Sequence, residues 1–163
     1  MSALPEDSQV DAVSLDTSPV DKWIGIPLGG GQLKDPVAPN DLRRWAQGMQ
    51  NANPLYHDDA YAAEADSRFG ALVAPQSFAV ATDDSHGAGP AIQGVIPGQH
   101  MIFGGDEWWF FGPRIFPGDS VSRDRMLFDY KVTKTGFAGP TMFSRGDTTY
   151  VNGRGEIVCK QRS

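Results

Sequence analysis

The 163-residue sequence predicts an α+β fold in a single domain, with helices in its first half and an antiparallel sheet in its second. Three observations carry this. Leu42, Trp45, Ala46 and Met49 recur at i, i+3, i+4 and i+7, the spacing of one helix face. From Gln99 onward, β-branched and aromatic residues gather in short runs: Ile102-Phe103, Trp108-Trp109-Phe110-Phe111, Met126-Leu127-Phe128 through Val132, Thr141-Met142-Phe143 and Thr148-Thr149-Tyr150-Val151. Pro117-Gly118-Asp119, residues 136–140 and Asn152-Gly153 separate these runs as turns, the last with a hairpin signature.

Taken in order, residues 1–21 are rich in Ser, Asp and Pro and lack a signal-peptide core, so they read as a mobile tail before a domain over 22–163. Lys22-Trp23-Ile24-Gly25-Ile26-Pro27 is a short apolar piece. Gly29-Gly30-Gly31 follows without the spacing of a phosphate loop and reads as a flexible loop. Asn40 and Asp41 supply a helix cap and a first-turn acid to the pattern that begins at Leu42. That helix runs into a polar loop, Asn51-Ala52-Asn53-Pro54-Leu55-Tyr56-His57-Asp58, stiffened by its proline. A second short helical pattern falls within 58–69. A third opens at Ala74-Pro75, with proline at its first position and Phe78 and Val80 as plain core. Residues 83–98, too rich in Gly, Pro, Ser and Asp for regular structure, form a long loop in which His86 is solvated.

Composition narrows the classes of function. A pI near 4.9 and the absence of a binding motif argue against nucleic acid. No apolar run approaches a membrane span, and the default location is the cytoplasm. The single Cys159 rules out an internal disulfide framework or a cysteine-based zinc site, and within Ile157-Val158-Cys159 it reads as a buried structural thiol. Charge is uneven: the first 113 residues carry five Lys and Arg against fifteen Asp and Glu, the rest nine against five. Arg114, Arg123, Arg125, Lys131 and Lys134 are therefore either a solvated strand face or groups that meet an anionic ligand or an acidic partner chain.

The central loop resembles the MaoC-like hot-dog hydratases and dehydratases of acyl thioesters, whose active members carry G-D-x-N-P-(L/I)-H-x-D and then (V/I)-A-H/P. Asn53-Pro54-Leu55, Asp58 and Val73-Ala74-Pro75 match that frame. The second half is similar to the family's E-(W/F)-x-F-x-x-P-(V/I)-x-x-G-D through residues 107–111, Pro113, Ile115 and Gly118-Asp119. The resemblance implies a single hot dog, an antiparallel sheet wrapped around the helix that opens at Ala74-Pro75.

It also implies where chemistry is missing. The family's catalytic aspartate falls on Asn51 and its histidine on Tyr56. Hydration needs a carboxylate and an imidazole on one water, yet an amide takes no proton and a phenol with pKa about 10 is a poor base at neutral pH. The resemblance therefore implies a degenerate, substrate-shaping subunit. A second hot-dog chain would supply Asp and His, in a heterodimer or heterotetramer acting on bulky or long acyl-CoA. Asn53, Tyr56, Ala74, Pro75 and Phe78 are its expected substrate contacts, and Arg114, Arg123 and Arg125 its coenzyme A phosphate candidates. No metal or separate cofactor is implied, coenzyme A being part of the substrate. Two alternatives stand beside this: a homodimeric hydratase using His57 with Asp58 or Tyr56, and a non-catalytic acyl-CoA-binding protein. His57 itself reads either as a loop-bonding histidine or as a substitute base.

Overall fold

A computed structural model describes residues 15–33, 35–64, 68–82, 95–98 and 100–163. The expected loop over 83–98, with His86, lies almost wholly outside the described residues, as do residues 1–14 of the expected tail. Helices do come first: α1 is Ser18–Asp21, α2 Pro39–Gly48 and α3 Asp59–Ala63, with 3₁₀ turns at Pro54–Tyr56 and Gln76–Thr82. The strands follow: β1 Glu107–Phe110, β2 Ser122–Thr135, β3 Gly139–Val151 and β4 Ile157–Arg162. They form one sheet in the order β1-β4-β3-β2 with every neighbour antiparallel, which is the α+β layout expected.

Helix α2 forms where the apolar spacing placed it, with Leu42 and Ala46 buried. Its cap differs. The N-cap is Ala38 and Pro39 is the first helical residue, because proline's missing N–H and fixed φ suit that place. Alanine has no side-chain acceptor, so only the reciprocal bond of a capping box remains: the Ala38 N–H donates to the Asp41 carboxylate at 2.9 Å. Asn40 therefore sits inside the first turn.

Residues 18–21, assigned to the tail, are helical, with Val20 buried and the Tyr130 hydroxyl donating to the Asp21 carboxylate. The short apolar piece and the triple glycine run along β2, bonded through Gly25 N–H to Leu127 O, Leu28 N–H to Arg125 O and Arg123 N–H to Gly31 O, each at 2.8 Å. Gly30 is required there by contact: a β-carbon on it would stand 1.4 Å from the Arg123 carbonyl oxygen.

The central segment is 3₁₀ rather than α-helical. It is short and carries Ser77 and the β-branched Val80 and Thr82, which lower α-helix propensity. Phe78 and Ala79 within it are buried in a core shared with Leu42, Ala62, Ile115 and Val121. The sheet is more continuous than its sequence runs suggest. Residues 139–151 are one strand: Gly146 and the charged Arg145 and Asp147 break the apolar pattern, yet pairing continues past them with a register shift opposite, between Leu127 and Asp129. Ile102-Phe103 lies outside any strand, with both side chains exposed.

On one face of the sheet Arg162 pairs with Asp147 at 2.6 and 2.8 Å, and Arg145 pairs with Asp129. The Phe128 ring, beside a bulge between Leu127 and Asp129, lies under both guanidinium groups at 3.6 and 5.2 Å. Cation–π contact holds these arginines flat against the sheet. At the β3–β4 reversal, Asn152 is buried and fully bonded. Its amide donates to Arg114 O and Glu156 Oε2 and accepts from the N–H groups of Arg154 and Glu156.

Candidate functional site

The polar loop leaves α2 through Gln50, whose φ of 52° puts a non-glycine residue in the left-handed region. Asn51 returns its N–H to Ala46 O at 2.8 Å and its side-chain oxygen accepts from Asn53 N–H at 3.1 Å. The Asn53 side chain repeats the device, accepting from Leu55 N–H at 3.1 Å and capping the 3₁₀ turn Pro54–Tyr56. Asp58 then caps α3, its Oδ1 accepting from Tyr61 N–H at 3.1 Å. Three polar side chains named in advance thus shape the backbone first.

His57 is exposed, its Nε2 3.4 Å from Ala52 O, a long contact within its own loop. Tyr56 is half-buried and Asn51 exposed. A residue that sequence reasoning passed over holds the loop to α2. Arg43 donates to His57 O at 3.2 Å and to Asn40 Oδ1 at 3.1 Å, and pairs with Asp59. An Arg one residue after Leu42, on the helix side facing a loop that bears two acids, was the available signal.

The loop meets the second expected strip through Val73 N–H, which donates to Leu55 O at 3.2 Å, and Ala74 N–H in turn reaches Ile115 O at 2.9 Å. Ala74 and Pro75 are buried there and border a small recess with Arg114 and Val158. Phe78 packs edge-on against Trp45 at 6.0 Å, while the Trp45 ring N–H donates to Ser77 Oγ at 3.1 Å. Together with Leu33 and Ala81 these two rings line a cleft of about 560 Å³ that also touches Asp41 and Arg44. So Ala74 and Pro75 border the recess and Phe78 the cleft, whereas Asn53 and Tyr56 line neither and are linked to that strip through the Leu55 O–Val73 N–H bond.

The three arginines named for phosphate part company. Arg123 and Arg125 stand at every second position between the buried Val121 and Leu127, on the same face of the chain, beside the strip over 24–33. Arg114 lies before Ile115, with its guanidinium 5.6 Å from the centre of the Phe69 ring. Lys131 and Lys134 are exposed on the far half of β2. Burial pushes the Cys159 thiol up to about 12, so it stays protonated and packs in the core. Among the described residues no group of His, Cys, Asp and Glu is placed to hold a metal, and no helix is long and apolar enough to cross a membrane.

A layered arrangement of this kind, one antiparallel sheet over a short central helical segment, is that of the hot-dog proteins. The chain belongs to the MaoC-like hydratase and dehydratase family: the family model described as "FAS1-like, dehydratase domain region" matches residues 22–161. It is 27% identical over 154 residues to a probable enoyl-CoA hydratase alpha subunit of Thermomonospora curvata, covering 86% of this chain and 48% of that protein. The chain thus spans about half the length of this relative.

Among solved structures it is similar to the ChsH1-ChsH2 complex from Mycobacterium tuberculosis, at 22% identity and a TM-score of 0.62 over 83% of this chain and 80% of that one. The MaoC-like dehydratase from Rhodospirillum rubrum gives 19% identity and a TM-score of 0.60, covering 85% and 87%. The unliganded R-hydratase PhaJ1 from Pseudomonas aeruginosa gives 24% and 0.57, covering 82% and 77%. At these identities the likeness is one of fold.

Proposed function

We propose that this chain is the substrate-shaping, non-catalytic subunit of a heteromeric acyl-CoA hydratase or dehydratase, working in the cytoplasm with a second hot-dog chain that carries the acid and the imidazole. One observation carries the reading. Where the family's motif places its carboxylate and imidazole, the loop presents the amide of Asn51 and the half-buried phenol of Tyr56. Reversible hydration of a 2-enoyl thioester needs one group to take a proton from water and another to deliver one to the α-carbon. An amide takes no proton, and a phenol is by nature a poor base at neutral pH. The neighbouring Asp58 is engaged in capping α3, and His57 lies exposed against its own loop.

In this role the chain forms one wall of the acyl site. The cleft beside Leu33, Trp45 and Phe78 gives a bulky or long acyl group apolar surface, and Ala74 and Pro75 leave the thioester room. The similarity to a hydratase alpha subunit and to the paired ChsH1-ChsH2 chains supports a two-chain assembly. The β1 edge, unpaired among the described residues and beside exposed Trp109 and Phe110, would supply a place for it.

The test is turnover of 2-enoyl-CoA by the assembly purified from the protein's own cells. His57→Ala in this chain is expected to leave kcat within about twofold, whereas removing the histidine of the companion chain lowers it by about a thousandfold. A thousandfold loss from His57→Ala would instead establish the self-sufficient hydratase. Tight acyl-CoA binding with no turnover in any assembly would leave a binding protein.

A further inference from the structure

Outside the loop, three arginines gather on a pair of phenylalanine rings. Arg68 and Arg114 both rest on the ring of Phe69, 5.7 and 5.6 Å from its centre, so they stand no more than about 11 Å apart. Phe69 in turn meets Phe116 edge-on at 6.3 Å, and Arg154 covers that second ring at 5.3 Å. The three guanidinium groups differ in their partners. Arg154 is bonded to Asp119 at 2.8 Å, to Glu156 at 2.9 Å and to Arg114 O at 2.7 Å, and its charge is answered within the fold. Neither Arg68 nor Arg114 meets a carboxylate or donates a side-chain hydrogen bond among the described residues. Two positive charges with no carboxylate partner among the described residues thus share one ring, in a chain of net charge −6.

An aromatic face fixes a guanidinium plane while leaving its N–H edge turned outward, the geometry for bidentate contact with phosphate oxygens. Because the ring holds both groups, little side-chain freedom is left to lose on binding. The cluster is also joined to the acyl region. Arg114 borders the same recess as Ala74 and Pro75, and the residue after it, Ile115, accepts the Ala74 N–H. We propose that Arg68 and Arg114, mounted on Phe69, form the cradle for the phosphates of a coenzyme A thioester. This rests on the reading of the chain as an acyl-CoA subunit. Two separated cations match a ligand with a diphosphate and a further phosphate, where a carrier protein's phosphopantetheine arm offers one phosphate.

Calorimetry on the native assembly tests this with coenzyme A, its 3′-dephospho form and 4′-phosphopantetheine. Arg68→Ala and Arg114→Ala are each expected to weaken coenzyme A about tenfold, and the loss shrinks in high salt. Phe69→Leu keeps both charges and the apolar volume, and it also weakens binding because the guanidinium groups are no longer held. Coenzyme A affinity unchanged in all three variants overturns the cradle. Phosphopantetheine binding as tightly as coenzyme A overturns the choice of ligand in favour of a carrier-protein arm. Failure of the subunit reading registers separately: the His57→Ala turnover result changes, while these binding ratios remain as they are.

Discussion

The two edges of the sheet are built on opposite terms. Along β2 the chain closes its own edge: residues 24–33 follow the strand, four backbone bonds join them from Gly25 to Leu33, and Gly30 lies against the Arg123 carbonyl so closely that only glycine fits. Along β1 nothing among the described residues covers the outer side, and the strand is four residues long. Around it Met101, Ile102, Phe103, Trp109, Phe110 and Phe111 are all exposed. Edges left open in soluble proteins are ordinarily blunted by lysine, proline or a bulge. This one is apolar and aromatic, the composition of an interface core. One edge is thus finished within the chain, while the other stays open among the described residues, and in the proposed assembly it would receive the second hot dog.

The largest expected effect comes from breaking the closed edge. Gly30→Ala places a methyl group inside the Arg123 carbonyl and should cost about 3 kcal/mol or more, by displacing the strip over 24–33. Denaturant unfolding measures it, and a loss under about 0.5 kcal/mol would mean that the strip is not seated on β2. Breaking the open edge should do the reverse. Trp109→Glu with Phe110→Lys is expected to weaken assembly by about a hundredfold, near 2.7 kcal/mol, with little change in the chain's own stability. Sedimentation at several concentrations separates the two quantities. If stability falls and association does not, the exposed aromatics serve the fold rather than a partner.

The smallest effect belongs to neither edge and marks the baseline for both. Glu156, in the β3–β4 reversal, is held below its ordinary value of 4.5 by Asn152 first and by Arg154. A depressed carboxylate contributes stability that is complete above its unfolded value and lost as pH falls through the folded one. Glu156→Gln should therefore leave stability on acidification below about pH 4.5 with a shallower decline than the parent's. Parallel acid limbs for the two proteins would remove Glu156 from the network.

What the sequence showed and withheld follows from the range of each interaction. Helix α2 was legible because Leu42, Trp45 and Ala46 carry their period within three turns, and the loop was legible because Asn53, Pro54 and Asp58 act on neighbours two or three residues away. The cap at Ala38 was not, since an alanine announces nothing and its partner is the Asp41 that read as part of the helix. Gly30 looked like loop slack because the carbonyl that demands it is on Arg123. Of the three arginines named for phosphate, Arg114 is placed on the Phe69 ring. Its companion is Arg68, whose meaning depends on a ring adjacent to one arginine and far along the chain from the other.

In the proposed assembly the open edge receives a second hot-dog chain bearing the acid and imidazole that Asn51 and Tyr56 do not provide. The mass of the native complex, purified from the protein's own cells with its chains identified, tests it most directly. The expected result is a 1:1 or 2:2 assembly with a distinct chain that carries an intact aspartate and histidine in the N-P motif. A homodimer of this chain that turns over 2-enoyl-CoA would contradict it.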